Sequence, residues 1–301
     1  MHTEQARHSF VSALLLAFAG TFLFSMKPIL VKQVYLLGID SNQLITLRML
    51  FAAPIYLAVG AMLWRKNPQL QPAYKSNAAM ILVLGVLGYY VASFLDLWAL
   101  QYISAQLERV VLFCFPTLVV LLSRWVFNTA LPRHIWGILA LSYAGILLIF
   151  AHDMVTFGNE VLFGTTLVFI SAVSFAIYTL WSKPLIGKVG SLMFTCIAMI
   201  SASLFILFHF ALSHSFEDLQ VGNDALLLCA AIALFATVIP SFLVAEAINR
   251  MGPERTSVVG TCGPVITSIV AVLWLDESFT YYHLAGLSLV MLAVWLMIKK
   301  P

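Results

Sequence analysis

Five charged residues lie within long apolar stretches of the sequence: Lys27, Arg48, Asp96, Glu108 and Arg109. A charge near the centre of a bilayer costs about 2.5–3.5 kcal/mol on insertion scales, so each needs a partner or a purpose. We expect Asp96 to pair with Lys27 or Arg109, and such a pair could also hold the ammonium or carboxylate of an amino-acid-like solute. Both a structural and a functional role for Asp96 remain open. For Arg48 and Glu108, near predicted helix ends, we expect anchoring or snorkelling.

A polar stripe runs along the third apolar stretch. Tyr89, Ser93 and Asp96 are spaced four and three residues apart, so they share one helix face. An offset of 148 residues places Thr237 and Ser241 on the first two positions, while an apolar residue occupies the third. The repeated stripe predicts a hydrated interior face, and the unmatched carboxylate suggests that one half of the chain is specialised.

A second stripe contains Ser171, Ser174, Tyr178 and Trp181, at spacings of three, four and three. Tyr178 and Trp181 are candidates for contact with a solute. Aromatic residues also pack the core of many helix bundles, so a purely structural role is the alternative.

Two prolines interrupt corresponding apolar stretches. Pro116 and Pro264 lie near the middle of the fourth and ninth stretches, where each leaves the carbonyl four residues earlier without its helical partner. Interrupted helices at matching places in two halves indicate a transporter's binding site. A packing kink healed by neighbouring helices is the alternative.

Two further charges are candidates for gating or a charge network, together with Lys27 and Arg109. Lys183 precedes a proline as Lys27 does, so it is either an interface anchor or part of an inner gate. Glu246 lies four residues before Arg250, a spacing that favours an intrahelical ion pair and a structural role.

Composition excludes a water-soluble globule. The 301 residues are 62% hydrophobic and only 10% charged, and the mean hydropathy is +0.98. With about 20 residues for each bilayer crossing, the chain has room for about ten helices and no sizeable soluble domain. The predicted fold is an all-α integral membrane protein with transmembrane helices at residues 9–31, 42–64, 78–100, 104–127, 133–150, 162–185, 191–212, 224–249, 254–275 and 280–298.

The distribution of basic residues predicts the orientation, because Lys and Arg concentrate on the cytoplasmic side. With the amino terminus inside, most of the basic residues fall on inner segments, whereas the outer connections are acidic, with Lys32 their one nearby base. Both termini are then cytoplasmic and the protein lies in the inner (plasma) membrane. The inner basic residues are Arg7, Arg65, Lys66, Lys75, Arg124, Arg133, Lys183, Lys188, Arg250, Arg255, Lys299 and Lys300.

The two halves of the chain, residues 1–150 and 151–301, resemble each other. At the offset of 148, Cys-Phe-Pro at 114–116 falls on Cys-Gly-Pro at 262–264, and near the start Lys27-Pro28 falls on Lys183-Pro184. Each half has five predicted crossings, an odd number, so the second half must be inverted in the membrane. Inverted repeats favour alternating access, for which a channel or a membrane enzyme has no need.

With these features the chain resembles the EamA-type transporters of the drug/metabolite transporter superfamily. The likeness rests on two inverted five-helix halves, the Lys-Pro pairs and the proline-centred helices four and nine. It implies an exporter of amino acids or other small metabolites, although some members are importers or nucleotide-sugar carriers. It implies no particular substrate.

The predicted function is a secondary transporter that exports a small organic metabolite, such as an amino acid or related compound, by alternating access. An importer or facilitator of a metabolite or nucleotide-like solute, or a lipid-carrier flippase, is the alternative. The sequence has no phosphate-binding loop and no hydrolase or metalloprotease motif, so we expect no enzymatic activity and no cofactor or metal. The expected partners are the solute and membrane lipid, not nucleic acid, and the protein is expected to be a monomer, with a dimer as the alternative.

Overall fold

The computed structural model describes residues 2–128, 134–251, 256, 259–260 and 262–299. Every secondary-structure element in these ranges is helical. Eight helices are long and apolar enough to cross a membrane, and two shorter apolar helices follow at Cys262–Leu275 and Tyr281–Leu296. The protein is therefore an all-α, multi-pass membrane protein, as the composition predicts.

We number these apolar units α1 to α10, of which four consist of consecutive helical segments. Their bounds are α1 (His2–Ser25 and Lys27–Leu36), α2 (Ser41–Lys66), α3 (Gln71–Gly85, Val86–Val91 and Ala92–Ala99), α4 (Ala105–Leu112 and Phe115–Phe127), α5 (His134–Phe157), α6 (Glu160–Val189), α7 (Ser191–Ser213), α8 (Asn223–Ala233, Leu234–Val238 and Ile239–Met251), α9 (Cys262–Leu275) and α10 (Tyr281–Lys299).

Glycines end three of the helices. α1 and α5 continue several residues beyond their predicted ends and stop before Gly38 and Gly158, while Gly190 follows α6. These glycines have φ of 78° to 79°, a conformation that other residues adopt only with strain. The predicted starts of the fifth and ninth helices, at Arg133 and Glu254, lie outside the described residues.

The helices associate mainly in four pairs: α1 with α8, α2 with α7, α3 with α6, and α5 with α10. In the third pair the Ser171 hydroxyl donates to the carbonyl of Ala92 at 2.7 Å, and the Ser174 hydroxyl to that of Leu87 at 2.8 Å. Residue numbers therefore fall along α3 as they rise along α6, so these two helices are antiparallel. Each of the four pairs joins a helix of the first half to a helix of the second.

Two π-helical turns interrupt α3 and α8. They occupy Val86–Val91 and Leu234–Val238, and their first residues are 148 positions apart. A π turn widens the hydrogen-bonded ring by one residue and so changes which side chains face a neighbouring helix. The polar stripes of both helices begin within these turns, at Tyr89 and Thr237.

Large apolar side chains cover much of the outer surface. Leu15, Leu147, Phe208, Leu227 and Leu273 are each at least 60% exposed. Such a surface would aggregate in water but is the ordinary lipid-facing surface of a membrane helix.

α5 and α10 approach each other so closely that only glycine fits at their contact. A Cβ on Gly145 would lie 2.5 Å from the carbonyl oxygen of Gly286, and the reverse substitution would meet the carbonyl of Gly145 at the same distance. Close backbone approach through small residues is a common mode of helix association in membranes.

We predict that Gly145→Ala lowers the stability of the detergent-purified protein by about 1–3 kcal/mol, the usual effect of overpacking. Gly137→Ala, on the same helix, is the matched control, because nothing lies within 4 Å of its added Cβ. Thermal unfolding monitored by circular dichroism measures both. Equal melting temperatures for the two variants would show that α5 and α10 do not pack at this contact.

Candidate functional site

Side chains from two other helices donate hydrogen bonds at a break in α1. Pro28 has no amide hydrogen, so the carbonyl of Phe24 loses its helical donor. Arg109 donates to that carbonyl at 2.6 Å, and the Thr267 hydroxyl donates to the carbonyl of Ser25 at 2.9 Å. Because lipid supplies no hydrogen bonds, these side chains from α4 and α9 replace the missing helical partners.

The residue at the break, Lys27, forms an ion pair with Asp96 near the end of α3. The side chain of Asp96 is 2% exposed and that of Lys27 is 13% exposed. This is one of the two pairings that the sequence predicts for Asp96. The second carboxylate oxygen of Asp96, Oδ1, has no hydrogen-bond partner among the described residues.

Glu108 and Arg109 lie in the first segment of α4, whose amino terminus is well capped. Ser104 accepts from the amide of Leu107 at 2.9 Å, and Glu277 accepts from the amide of Ala105 at 2.8 Å. The capped start fixes the next turn, in which Glu108 is fully buried. Its two oxygens have no hydrogen-bond partner in the described part of the chain, and the nearer one is 3.9 Å from Nε of Arg109.

Arg48 is buried two turns into α2, with 2% of its surface exposed. Its Nε and one terminal nitrogen lack a hydrogen-bond partner among the residues described. Its electrostatic neighbours are Asp96, Tyr35, Tyr56 and Cys229, from four different helices. The expectation that Arg48 and Glu108 anchor helix ends at the interface is therefore wrong, because only 2% of Arg48 and none of Glu108 is exposed, whereas an anchoring or snorkelling side chain reaches the interface.

We call Lys27, Arg48, Asp96, Glu108 and Arg109 the charged cluster. It contains three cationic side chains and two carboxyl groups, and none of the five is more than 13% exposed. Two surface cavities, of about 230 and 380 Å³, have mainly apolar linings that include no member of the cluster. Arg48, Asp96 and Glu108 are therefore almost fully buried, whereas Lys27 and Arg109 each keep 13% of their side-chain surface exposed.

Tyrosine hydroxyls connect the polar stripes across the helix pairs. Tyr178 donates to the hydroxyl of Tyr89 at 3.1 Å, and their rings meet edge to face with centroids 5.1 Å apart. Tyr56 on α2 lies 2.9 Å from the Ser241 hydroxyl and also reaches the carbonyl of Thr237 at 3.5 Å. Both stripes therefore face neighbouring helices rather than lipid.

The other candidates in these stripes are less closely connected. Ser93 is half-buried and has no hydrogen-bond partner among the residues that the structure describes. Trp181 is half-buried against the apolar cluster that contains Tyr178 and Phe194.

The prolines of α4 and α9 differ in their surroundings. α4 is broken at residues 113–114, and Pro116 is the second residue of its second segment. The first segment of α4 packs against α9, in which Pro264 is buried. Much of the chain just before Pro264 lies outside the described residues, so the break predicted for α9 stays a prediction.

Two predicted members of the charge network lie apart from the charged cluster. Lys183 is exposed, and α6 continues without interruption past the following proline, unlike α1 at Lys27. Glu246 forms the predicted pair with Arg250 at 2.6 Å, both partly exposed, and Arg250 also donates to Ser12 on α1 at 3.2 Å. The two Lys-Pro pairs therefore have different environments.

Three hydroxyl residues of the site were missed by sequence reasoning. Tyr56 joins α2 to α8, Thr267 caps the break in α1, and the hydroxyl of Tyr35 donates to the carbonyl of Leu97 at 2.5 Å. Each lies within an apolar stretch, and a search for such hydroxyls would have found them. Only the folded arrangement identifies their partners.

Comparison with known proteins extends over nearly the whole chain. The sequence profile described as the EamA-like transporter family matches residues 11–151 and 162–299. "Uncharacterized transporter YcbK" of Bacillus subtilis is 23% identical over 278 residues, which cover 89% of this chain and 86% of the relative. An "Uncharacterized transporter" of Archaeoglobus fulgidus is 23% identical over 297 residues, 97% of each protein.

A solved structure has the same fold. A protein known from a crystal structure covers 96% of this chain and 96% of its own, with a TM-score of 0.66 and 16% sequence identity. The likeness at this identity concerns the fold alone.

We predict that Lys27→Met destabilises the protein by about 3–5 kcal/mol, because it leaves the carboxylate of Asp96 buried without its cation. The double variant Lys27→Met/Asp96→Leu should recover at least half of that loss. Thermal unfolding of the single and the double variant measures the interaction between Lys27 and Asp96. Lys183→Met is the control, because Lys183 is exposed. Additive losses in the double variant would contradict a direct interaction between the two side chains.

Proposed function

The chain belongs to the EamA-like transporter family, and from that premise we propose that it is a secondary transporter that exports a small organic metabolite, such as an amino acid or related compound, by alternating access. Its relatives bear the names of transporters, and the protein is a transporter rather than an enzyme. The solute, the direction and the alternating mechanism are the parts that we propose.

The observation that carries the proposal is the incomplete pairing within the charged cluster. Lys27 and Asp96 neutralise each other, and Arg109 lies beside Glu108, but two buried nitrogens of Arg48 have no acceptor among the residues that the structure describes. A buried unpaired cation is costly in a membrane, and such residues commonly mark a solute pathway. An anionic group on the solute would complete the pairing of Arg48, since a guanidinium binds carboxylates through two parallel hydrogen bonds.

The carboxyl groups of the cluster favour a solute that also carries a positive charge. Glu108 has no hydrogen-bond donor among the residues described, and Oδ1 of Asp96 has none either. An ammonium group could donate to both. An amino acid offers its carboxylate and ammonium on one carbon, which suits a site in which Arg48 and Asp96 are electrostatic neighbours.

An inverted repeat supports alternating access. The family profile matches twice, once in each half, and the π turns of α3 and α8 lie at the same offset as the sequence repeat. In the proposed repeat, α1 corresponds to α6 and α8 corresponds to α3. Replacing each helix by its counterpart turns the pair of α1 with α8 into the pair of α6 with α3, and the structure contains both pairs. Two related halves can exchange conformations and so open one site to either side in turn.

The near-complete burial of Arg48, Asp96 and Glu108 fits an occluded intermediate of such a cycle. A solute can reach Arg48 or Glu108 only if helices move, and the breaks in α1 and α4 are candidate hinges. The buried carboxyl groups could also exchange protons during the cycle. Proton-coupled export and facilitated diffusion are therefore both compatible with the proposal.

Two alternatives remain within the family. The protein could be an importer or facilitator of a metabolite or nucleotide-like solute, which would use the same cluster in the opposite direction. It could instead be a lipid-carrier flippase, for which the apolar cavity of about 380 Å³ beside Leu57, Trp64, Met193 and Ile200 offers space for an acyl chain. From the distribution of its basic residues we place the protein in the inner membrane with both termini cytoplasmic. We also propose that it is a monomer, with a dimer as the alternative.

We predict that a thermal-shift screen of the purified protein against amino acids and related carboxylates identifies a solute that raises its melting temperature. Arg48→Gln should weaken the binding of that solute about 10- to 100-fold, because a hydrogen bond to a charged group contributes about 1.5–3 kcal/mol. Asp96→Asn should slow its transport in proteoliposomes or alter the dependence of transport on pH.

Asp224→Asn and Arg124→Gln are the controls, because both side chains are exposed. Saturable transport that is unchanged by Arg48→Gln and Asp96→Asn would remove the charged cluster from the solute pathway. Selective stabilisation by polyprenyl or acyl lipids, with no effect of any water-soluble carboxylate, would favour the flippase alternative.

A further inference from the structure

A second cluster of polar groups lies at one end of the α5–α10 pair. His152 and Asp153 are in the last turns of α5, and His283 is in the first turn of α10. One possible ligand atom from each residue lies within 4.8 Å of the other two. Asp153 and His283 are 1% and 2% exposed, whereas His152 is 16% exposed and provides a route from the surface.

We propose that these three residues form a binding site for a divalent first-row transition metal ion, with zinc as the best probe. Two imidazoles and one carboxylate are typical ligands of such ions, whereas magnesium and calcium prefer oxygen ligands alone. Water or another exogenous ligand would complete the coordination.

The distances leave room for a metal ion among the three residues. Oδ1 of Asp153 lies 3.6 Å from Nδ1 of His152 and 3.9 Å from Nε2 of His283. Both distances are too long for hydrogen bonds. Tetrahedral zinc, with bonds of about 2.0–2.2 Å, separates its ligand atoms by roughly 3.4 Å. Small side-chain rotations would therefore bring these atoms to coordination distance.

Neighbouring groups orient the ligands. The other oxygen of Asp153, Oδ2, accepts from the amide of Ser104 at 3.2 Å, which leaves Oδ1 directed at the histidines. The amide of Thr280 donates to Nδ1 of His283 at 3.2 Å, and the Thr280 hydroxyl lies 3.0 Å from the same nitrogen. A metal on Nε2 would require the other tautomer, in which Nδ1–H donates to the hydroxyl and no longer accepts from the amide. Such outer contacts typically support metal-ligating histidines.

The ring nitrogen Nδ1 of His152 is buried and has no hydrogen-bond partner among the described residues. A buried nitrogen without a partner is uncommon, and an ion bound between it and Asp153 would account for it. The imidazoles of His152 and His283 are also close, with centroids 4.6 Å apart and planes at 71°. This packing brings the two rings, from different helices, to the same carboxylate.

A bound ion would join three helices. It would link the end of α5 to the start of α10, and through Asp153 and Ser104 it would hold the capped start of α4. Glu108 of the charged cluster lies one turn further along α4. Metal binding would therefore stabilise one arrangement of the helices around the cluster.

The test measures metal binding to the purified full-length protein, independently of transport. After treatment with chelator and its removal, equilibrium dialysis against zinc chloride should give one zinc ion per chain, and zinc but not magnesium should raise the melting temperature. Cobalt(II) should give the visible absorption bands of a site with nitrogen ligands. His152→Ala and His283→Ala should each weaken zinc binding at least tenfold, and Thr280→Val should weaken it several-fold.

His214→Ala is the control, since this histidine lies against Asp40, away from the site, and should leave binding unchanged. If His283→Ala does not fold, the part-exposed His152 still provides the test. The proposal is overturned if no zinc is retained, if magnesium stabilises the protein equally, or if His152→Ala binds zinc as tightly as the unmodified chain.

Discussion

The structure depends on how buried charges and interrupted helices satisfy one another where water is absent. Pro28 removes one helical hydrogen bond from α1, and the guanidinium of Arg109 replaces it at the carbonyl of Phe24. The same break places Lys27 beside Asp96. Because an open carbonyl and a buried carboxylate without a cation are both costly in hydrocarbon, these interactions hold α1, α3 and α4 in one arrangement. The break and the ion pair therefore form one structural unit.

This unit is asymmetric, although the positions of the π turns and the pairing of the helices agree with the repeat that we propose. The π turns of α3 and α8 match in position, and the helix pairs exchange when the halves exchange. The charges do not follow that pattern, because Lys183 is exposed where Lys27 is paired and α8 has no carboxylate at the place of Asp96. We propose that a symmetric frame serves the motion, while specialised residues of one half bind the solute.

Much of this arrangement was predictable from the sequence. Apolar stretches bounded by charges, glycine and proline predict the helices well, because length and hydropathy govern insertion. The cost of an unpaired charge predicts a partner for Asp96. By contrast, the π turns have no residue signature, and the burial of Arg48 depends on helices distant in sequence. The pairs of Tyr56 with Ser241 and of His152 with His283 likewise arise only when helices of opposite halves pack together.

We propose that a solute site at the charged cluster opens to each side of the membrane in turn. The most direct measurement uses a cysteine at position 93, which is half-buried on the stripe that contains Asp96, in a background lacking Cys262. A membrane-impermeant thiol reagent is applied to right-side-out and to inverted vesicles. We expect the reagent to modify the cysteine from both sides. Modification from one side only, or from neither, would contradict alternating access to this site.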